Sequence, residues 1–96
     1  MKKFYVIVYL WGVQSGEEWY GRYDTFDFAL EMVQEIERAK NIKDNDPIEE
    51  NYTILEVDSE TLHAEKVWGA GYTYLRSEYV RKRDDEQGYM YRPMTL

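Results

Sequence analysis

The chain has 96 residues, a formal net charge of −7, 44% hydrophobic residues and 17% aromatic residues. This length corresponds to a single domain over residues 1–96, and so many aromatic rings are typical of a folded chain rather than a disordered one. The negative charge argues against direct binding to nucleic acids or anionic lipids, since phosphate groups require clustered Lys and Arg. The absence of cysteine excludes disulfides, thiolate metal sites and a cysteine nucleophile.

The first predicted element is a β-strand over residues 3–11, KFYVIVYLW. Alternate positions give an aliphatic face, which includes Val6 and Val8, and a second face rich in aromatic rings, which includes Tyr5 and Tyr9. Because both faces are apolar, we expect a central strand of a sheet. The apolar run is too short to span a membrane and no small-residue cleavage site follows it, so we expect a cytoplasmic protein.

A return strand is predicted over residues 17–23, EEWYGRY, after a turn-rich segment over residues 12–16 that begins and ends with glycine. Strict alternation places Trp19 and Tyr23 on one side of this strand and Tyr20 on the other. The two strands therefore form a hairpin with an unusual number of aromatic side chains.

A helix is predicted to follow Asp24 and Thr25, which are both good N-cap residues, and Asp27 suits its first turn. The segment FDFALEMVQEIERAK has apolar residues at helical spacing, with Glu31 and Glu35 on the opposite side. The apolar stripe consists of Phe26, Ala29, Leu30, Val33 and Ile36. We expect this helix to pack on the aliphatic face of the first strand.

The rest of the chain predicts a polar loop over residues 41–51 and a second hairpin with strands at residues 52–57 and 62–68. Residues 72–96 fit two structures, a helix or a hairpin. The tyrosine content and a turn signal at residues 84–88 favour the hairpin.

Together the elements predict an α+β fold. It consists of a small antiparallel sheet with the chain order ββαββ and one amphipathic helix packed across one face, with one further C-terminal hairpin if residues 72–96 form strands rather than a helix.

No residue pattern predicts catalysis, a cofactor or a metal site. The four carboxylates between residues 17 and 27 include the residue types that a glycosidase uses as its catalytic pair. A turn and the start of a helix explain their presence, however, and so small a domain has little material for a deep cleft. His63 is the single histidine, expected on the exposed side of a strand. The acidic loop at residues 44–50 lacks the ligand spacing of a calcium-binding loop. We therefore expect a protein that is not an enzyme.

Surface composition is more informative than motifs. Residues 1–65 hold fifteen acidic and six basic side chains, a net −9, whereas residues 66–96 hold four acidic and six basic, a net +2. Tyr and Trp are enriched where proteins bind proteins. An open aromatic platform rimmed by acids is one expectation, and burial of its rings by the C-terminal segment is the other. The candidate partner-binding residues are Trp11, Trp19, Tyr20, Tyr23, Glu31, Glu35, Asp44, Asp46, Glu49 and Glu50.

In size and charge the chain resembles small acidic proteins of phages and mobile elements, some of which inhibit enzymes that act on nucleic acids. We therefore expect a binding module, plausibly an inhibitor, that engages a basic, nucleic-acid-handling partner protein through acidic and aromatic side chains. One alternative is a structural protein that homodimerises through an aromatic sheet face or an edge strand. Another is a small-molecule or carbohydrate binder that uses Trp19 and Tyr23.

Overall fold

The computed structural model describes residues 2–10, 17–40, 51–71 and 73–88. Within these ranges the elements are β1 (Lys3–Leu10), β2 (Glu17–Tyr23), α1 (Phe26–Lys40), β3 (Tyr52–Asp58), β4 (Ala64–Gly69), β5 (Tyr74–Leu75) and α2 (Ser77–Gln87). The strands form one antiparallel sheet in the order β2-β1-β3-β4-β5, which confirms the predicted α+β class. Neither helix in the described ranges is long and apolar enough to cross a membrane.

Strand β1 lies in the interior of the sheet, between β2 and β3, as its two apolar faces predict. The consecutive residues Val6, Ile7 and Val8 are all completely buried. Because neighbouring residues of a strand point to opposite faces, burial of all three means that both faces of the sheet are covered.

Each face of the sheet has its own hydrophobic core. The core on the α2 side contains Phe4, Val6, Val8, Trp19, Leu55, Val57, Ala64, Leu75 and Val80. The core on the α1 side contains Ile7, Tyr20, Tyr23, Ala29, Met32, Val33, Ile36, Tyr52 and Ile54. The protein therefore has three layers, with the sheet between two helices.

Helix α1 packs on the face opposite to the one predicted. It covers Ile7, with Tyr5 and Tyr9 packed against the same core, whereas Val6 and Val8 face α2. The prediction was wrong because both faces of β1 are apolar, so its pattern cannot tell which face receives the first helix. Aromatic side chains are large enough to serve as core for a helix just as aliphatic ones do.

The predicted start of α1 is confirmed. The Phe28 N–H donates to the Thr25 hydroxyl oxygen at 3.1 Å, and the Ala29 N–H donates to the Thr25 carbonyl at 3.1 Å. Thr25 is therefore the N-cap residue, and Asp27 lies in the first turn, where a negative charge is favourable.

The hairpin favoured for residues 72–96 is wrong over residues 77–87, which form helix α2, the other structure that this segment fits. Its apolar contacts come from Val80, which is buried in the core on this side of the sheet, and Tyr79, which packs against the same core. Gly88 ends the helix in a left-handed conformation with φ 64°, and its N–H donates to the Asp84 carbonyl at 2.6 Å. The turn signal at residues 84–88 was thus a helix C-terminus.

A bulge in β2 changes which face its aromatic residues share. Tyr23 pairs with Tyr5 and Tyr20 pairs with Ile7, so two β2 residues stand opposite a single β1 residue. The extra residue places Tyr20 and Tyr23 together on the α1 side, while Trp19 lies on the α2 side. Strict alternation had predicted Trp19 and Tyr23 on one face.

Candidate functional site

Three of the aromatic residues predicted to form a binding face are core residues. Trp19, Tyr20 and Tyr23 are 0%, 8% and 2% exposed. Trp19 is covered by α2, as the alternative of burial by the C-terminal segment predicted, and the two tyrosines are covered by α1. The expected open platform is therefore wrong for these three rings. Trp11 lies outside the described residues.

The two acids predicted on α1 do lie on its outer side. Glu31 is exposed, and Glu35 is partly exposed and forms an ion pair with Arg38 at 2.6 Å. The remaining predicted acids, Asp44, Asp46, Glu49 and Glu50, lie outside the described residues.

We call the four carboxylates along the outer side of α1 and its N-terminus the acidic ridge. It consists of Asp24, Asp27, Glu31 and Glu35. Within the helix, Asp27, Glu31 and Glu35 are four residues apart, which places successive carboxylates about 6 Å apart along the helix axis. Each such like-charge pair destabilises a helix by about 0.2–0.5 kcal/mol. The ion pair with Arg38 gives Glu35 a role in helix stability, whereas no such pair among the described residues explains why Glu31 is acidic.

Phe28 is an exposed ring beside the ridge. It is 36% exposed and packs edge-on against Tyr23, with the ring centroids 5.5 Å apart. Sequence reasoning did not select this residue as a binding candidate. The available signal was its position outside the apolar stripe of the helix, since a large apolar side chain on the polar side is a candidate contact residue.

A second cluster joins α2 to β2, and we call it the α2 latch. Its members are Glu17, Trp19, Tyr79, Arg83 and Gln87. The three α2 residues are four residues apart, so they lie on one side of the helix and face β2. The Tyr79 hydroxyl donates to Glu17 Oε1 at 2.7 Å, and Arg83 Nε forms an ion pair with the same oxygen.

The latch buries a carboxylate. The Glu17 side chain is 6% exposed and the Arg83 side chain is 27% exposed. Arg83 also donates to the Tyr79 hydroxyl at 2.9 Å, and its guanidinium carbon lies 4.9 Å from the centroid of that ring. Burial, together with the bond to Glu17, raises the pKa of Tyr79. These contacts hold α2 against β2.

A polar cleft of about 230 Å³ lies on the sheet near β4 and β5. The hydrogen bonds from Lys3 at 3.0 Å and Tyr5 at 2.9 Å lower the pKa of Glu56 beside this cleft. His63 is exposed, and its Nδ1 lies 3.1 Å from the Tyr74 hydroxyl. The structure holds no group of three or more His, Cys, Asp or Glu side chains suited to a metal ion in residues 2–10, 17–40, 51–71 and 73–88.

Comparison with known proteins adds no relative to this description. A scan against protein-family models, a search of curated proteins and a search of solved structures each found no match. The fold and the surface therefore define the protein only as a small α+β domain with an acidic helix on one side of its sheet.

Proposed function

We propose that the protein is a non-enzymatic binding module that presents the acidic ridge of α1 to a basic surface of a partner protein. The observation that carries the proposal is the row of exposed carboxylates on this helix. Asp27 and Glu31 are exposed, and neither forms an ion pair with another described residue. Their charges are therefore available to a partner's Lys or Arg side chains, whose bonds to carboxylates are among the stronger hydrogen bonds.

The spacing of the ridge supports a partner that handles nucleic acids. One strand of duplex DNA carries a negative charge about every 3.4 Å along the axis, and the ridge carries one about every 6 Å. The ridge thus has roughly half the linear density of carboxylates that a DNA strand has of phosphates, and Arg38 partly neutralises the charge of Glu35. Such a surface is suited to occupy part of a phosphate-binding groove, which supports the inhibitor hypothesis.

Phe28 gives the ridge an apolar contact. Exposed charge pairs contribute little affinity by themselves, whereas an aromatic ring removed from water contributes contact area. Because Phe28 is supported from below by Tyr23, its ring loses little freedom on binding. The aromatic part of the proposed interface is therefore Phe28 rather than the buried rings of β2.

The other two hypotheses receive less support from the described residues. Dimerisation through an aromatic sheet face requires an open face, and in the described residues both faces carry a helix. Dimerisation through an edge strand stays a prediction. Ligand binding at Trp19 and Tyr23 requires ring surface that the core occupies.

The test compares three forms of the protein as bait in an extract of its native host. One is unchanged, one carries Glu31→Lys and Glu35→Lys, and the control carries Glu60→Lys and Asp85→Lys. The control residues are exposed acids away from the ridge, so both variants change the net charge equally. We expect the unchanged protein and the control to capture the same partner, and the ridge variant to lose it.

The captured partner is then purified, and its affinity is measured by calorimetry at several salt concentrations. Reversal of two ridge charges should weaken binding about tenfold or more, and salt should weaken the binding of the unchanged protein. An unchanged affinity of the ridge variant contradicts the proposal. If the complex forms but the partner still binds nucleic acid normally, the inhibitor function is wrong.

A further inference from the structure

A mostly apolar groove of about 450 Å³ lies between β5 and the first half of α2. It is lined by Tyr74, Leu75, Arg76, Glu78, Tyr79 and Lys82. Sites that bind small molecules have volumes of about 300–1,000 Å³, so the groove is large enough for such a ligand. The acidic ridge lies on the other side of the sheet, and the proposed contact with a basic partner therefore does not use this groove.

Two tyrosine rings of the groove are held in place by their hydroxyl groups. The Tyr74 side chain is 49% exposed, and its hydroxyl lies 3.1 Å from Nδ1 of His63, whose ring meets the Tyr74 ring edge-on. The Tyr79 hydroxyl is bonded to Glu17 and Arg83 in the α2 latch. None of these three partners lines the groove, so the two rings offer it apolar surface that is ordered before a ligand binds. Such preorganisation lowers the entropic cost of binding.

The charge at the groove is opposite in sign to that of the whole chain. Arg76, Glu78 and Lys82 are exposed, and none of them forms an ion pair with another described residue. Two cations and one carboxylate give the lining a net charge of +1, whereas the chain carries −7. Charges farther away than about 8–10 Å are largely screened at physiological ionic strength, so the local cations decide which charge the groove attracts.

We propose that this groove binds a small organic acid, whose apolar group contacts the rings of Tyr74 and Tyr79 and whose carboxylate pairs with Arg76 and Lys82. The planar guanidinium of an arginine matches a carboxylate with two parallel hydrogen bonds. An amine would be repelled by the two cations. A phosphate with two negative charges would be disfavoured by Glu78, because like charges brought together weaken binding. A monoanion with an aromatic or branched apolar group therefore fits the groove best.

The first experiment titrates the unchanged protein with phenylacetate, 2-phenylethanol, phenethylammonium and acetate, and follows the backbone amide signals by NMR. The first three probes share one aromatic group and differ in charge, and acetate has the charge without the ring. Phenylacetate should shift the signals of residues 74–82 with a Kd of about 1 mM, and the other three should bind about tenfold more weakly. Equal affinity for the three aromatic probes, shifts confined to other residues, or no binding of phenylacetate overturns the proposal.

Charge variants of the groove should change the affinity for phenylacetate in opposite directions. Arg76→Gln removes a cation from the groove and should weaken binding about tenfold, whereas Glu78→Gln removes a like charge and should strengthen it about twofold or more. The matched control is Arg38→Gln, which makes the same charge change at an exposed position of α1 on the other side of the sheet. The control should bind phenylacetate as the unchanged protein does. A control that is weakened as much as Arg76→Gln shows an effect of net charge alone and overturns the proposal.

A ring variant tests the apolar part of the site. Tyr74→Thr removes the ring and keeps a residue type that is suited to a strand. It should weaken phenylacetate and leave acetate unchanged, and an unchanged affinity for phenylacetate overturns the proposal. The ridge variant with Glu31→Lys and Glu35→Lys should bind phenylacetate normally, because its substitutions lie on α1. The groove and the acidic ridge are therefore proposals that fail separately.

Discussion

Replacement of Arg83 by Met should destabilise the protein by about 2–3 kcal/mol, because it removes the ion pair between Arg83 and the buried Glu17 carboxylate. The substitution keeps an apolar side chain of similar length on α2. It removes the ion pair to Glu17, the bond to the Tyr79 hydroxyl and the contact with the Tyr79 ring.

The magnitude follows from the burial of the two partners. Removal of one member of a fully buried ion pair costs about 3–5 kcal/mol. Glu17 is close to that limit at 6% exposure, but Arg83 retains 27% exposure and the Tyr79 hydroxyl still donates to the carboxylate in the variant. We therefore expect a lower cost than the full range. A chain of 96 residues has roughly 5–14 kcal/mol of stability, so the variant should still fold.

The geometry of the pair predicts that the coupling is mainly Coulombic. Arg83 Nε lies at ion-pair distance from Glu17 Oε1, but its N–H is not aligned for a hydrogen bond. Glu17→Gln removes the charge and keeps the shape, and it should cost about 1–2 kcal/mol because Arg83 remains partly solvated and paired with Glu86. The double variant should therefore be more stable than the sum of the two costs predicts.

The assay is urea unfolding followed by tryptophan fluorescence, applied to the unchanged protein, the two single variants and the double variant. The double-mutant cycle should give a coupling energy of about 1–2 kcal/mol. If the costs of the two single variants sum to the cost of the double variant within about 0.3–0.5 kcal/mol, Glu17 and Arg83 do not stabilise the protein as a pair and the prediction is refuted. A cost below about 0.5 kcal/mol for Arg83→Met alone would show that Glu17 is well solvated after all.

Three further predictions concern the backbone and the pH dependence. Gly69→Ala should lower the free energy of unfolding in urea by about 2–4 kcal/mol, because φ at this residue is +90° and an added Cβ would lie 2.1 Å from the Tyr52 carbonyl oxygen. Gly88→Ala should lower it by only about 1–2 kcal/mol, because φ is +64° there but the space around the residue is open. Equal costs for the two substitutions would contradict the steric argument. Folding lowers the pKa of Glu56, so the stability that its ionised carboxylate contributes is present above the ordinary glutamate pKa and is lost as the pH falls through the folded pKa. The free energy of unfolding of Glu56→Gln should therefore fall less steeply at acidic pH than that of the unchanged protein. The same acid dependence in both proteins would contradict this prediction. Burial raises the pKa of Tyr52, so the free energy of unfolding should fall as the pH rises above the ordinary tyrosine pKa of about 10. Tyr52→Phe should lose less stability over this alkaline range. An equal loss in both proteins would contradict the prediction that Tyr52 causes it.

The sequence predicted the elements better than it predicted their packing. The start of α1 was predictable because Thr25 and Asp27 act locally, through bonds and charges within one turn. The turn after β3 was predictable for the same reason, since Asp58 Oδ1 accepts from the backbone N–H groups of Glu60 and Thr61 at 2.8 and 3.0 Å.

The choice of sheet face was not predictable in this way. It depends on which apolar surface α1 reaches, and a strand with Val6, Ile7 and Val8 in succession offers both. The position of Tyr23 depends on a bulge, and one extra residue reverses the side of every residue after it.

The candidate binding residues also divide into those whose exposure follows from local sequence and those whose exposure depends on packing. Glu31 and Glu35 were placed correctly, because helical periodicity fixes the outer side of α1 once its apolar stripe is known. Trp19 was misplaced, because its exposure depends on α2, a helix whose sequence SEYVRKRDDEQ has few apolar residues. The α2 latch holds such a helix on the sheet, and its partners Glu17 and Arg83 are far apart in the sequence. No local pattern therefore predicts their contact.

The position of α2 in the chain has a consequence for folding during synthesis. The sheet face with Phe4, Val6 and Val8 is completed by Leu75 and Val80, which are translated after β1 to β4 and α1. Until residues 77–87 have been made, the apolar face that they cover is in water, and exposed apolar surface of this kind favours aggregation. Stop codons or proteolytic cuts between β4 and α2 should therefore give insoluble fragments, even though four of the five strands found in the described ranges are present.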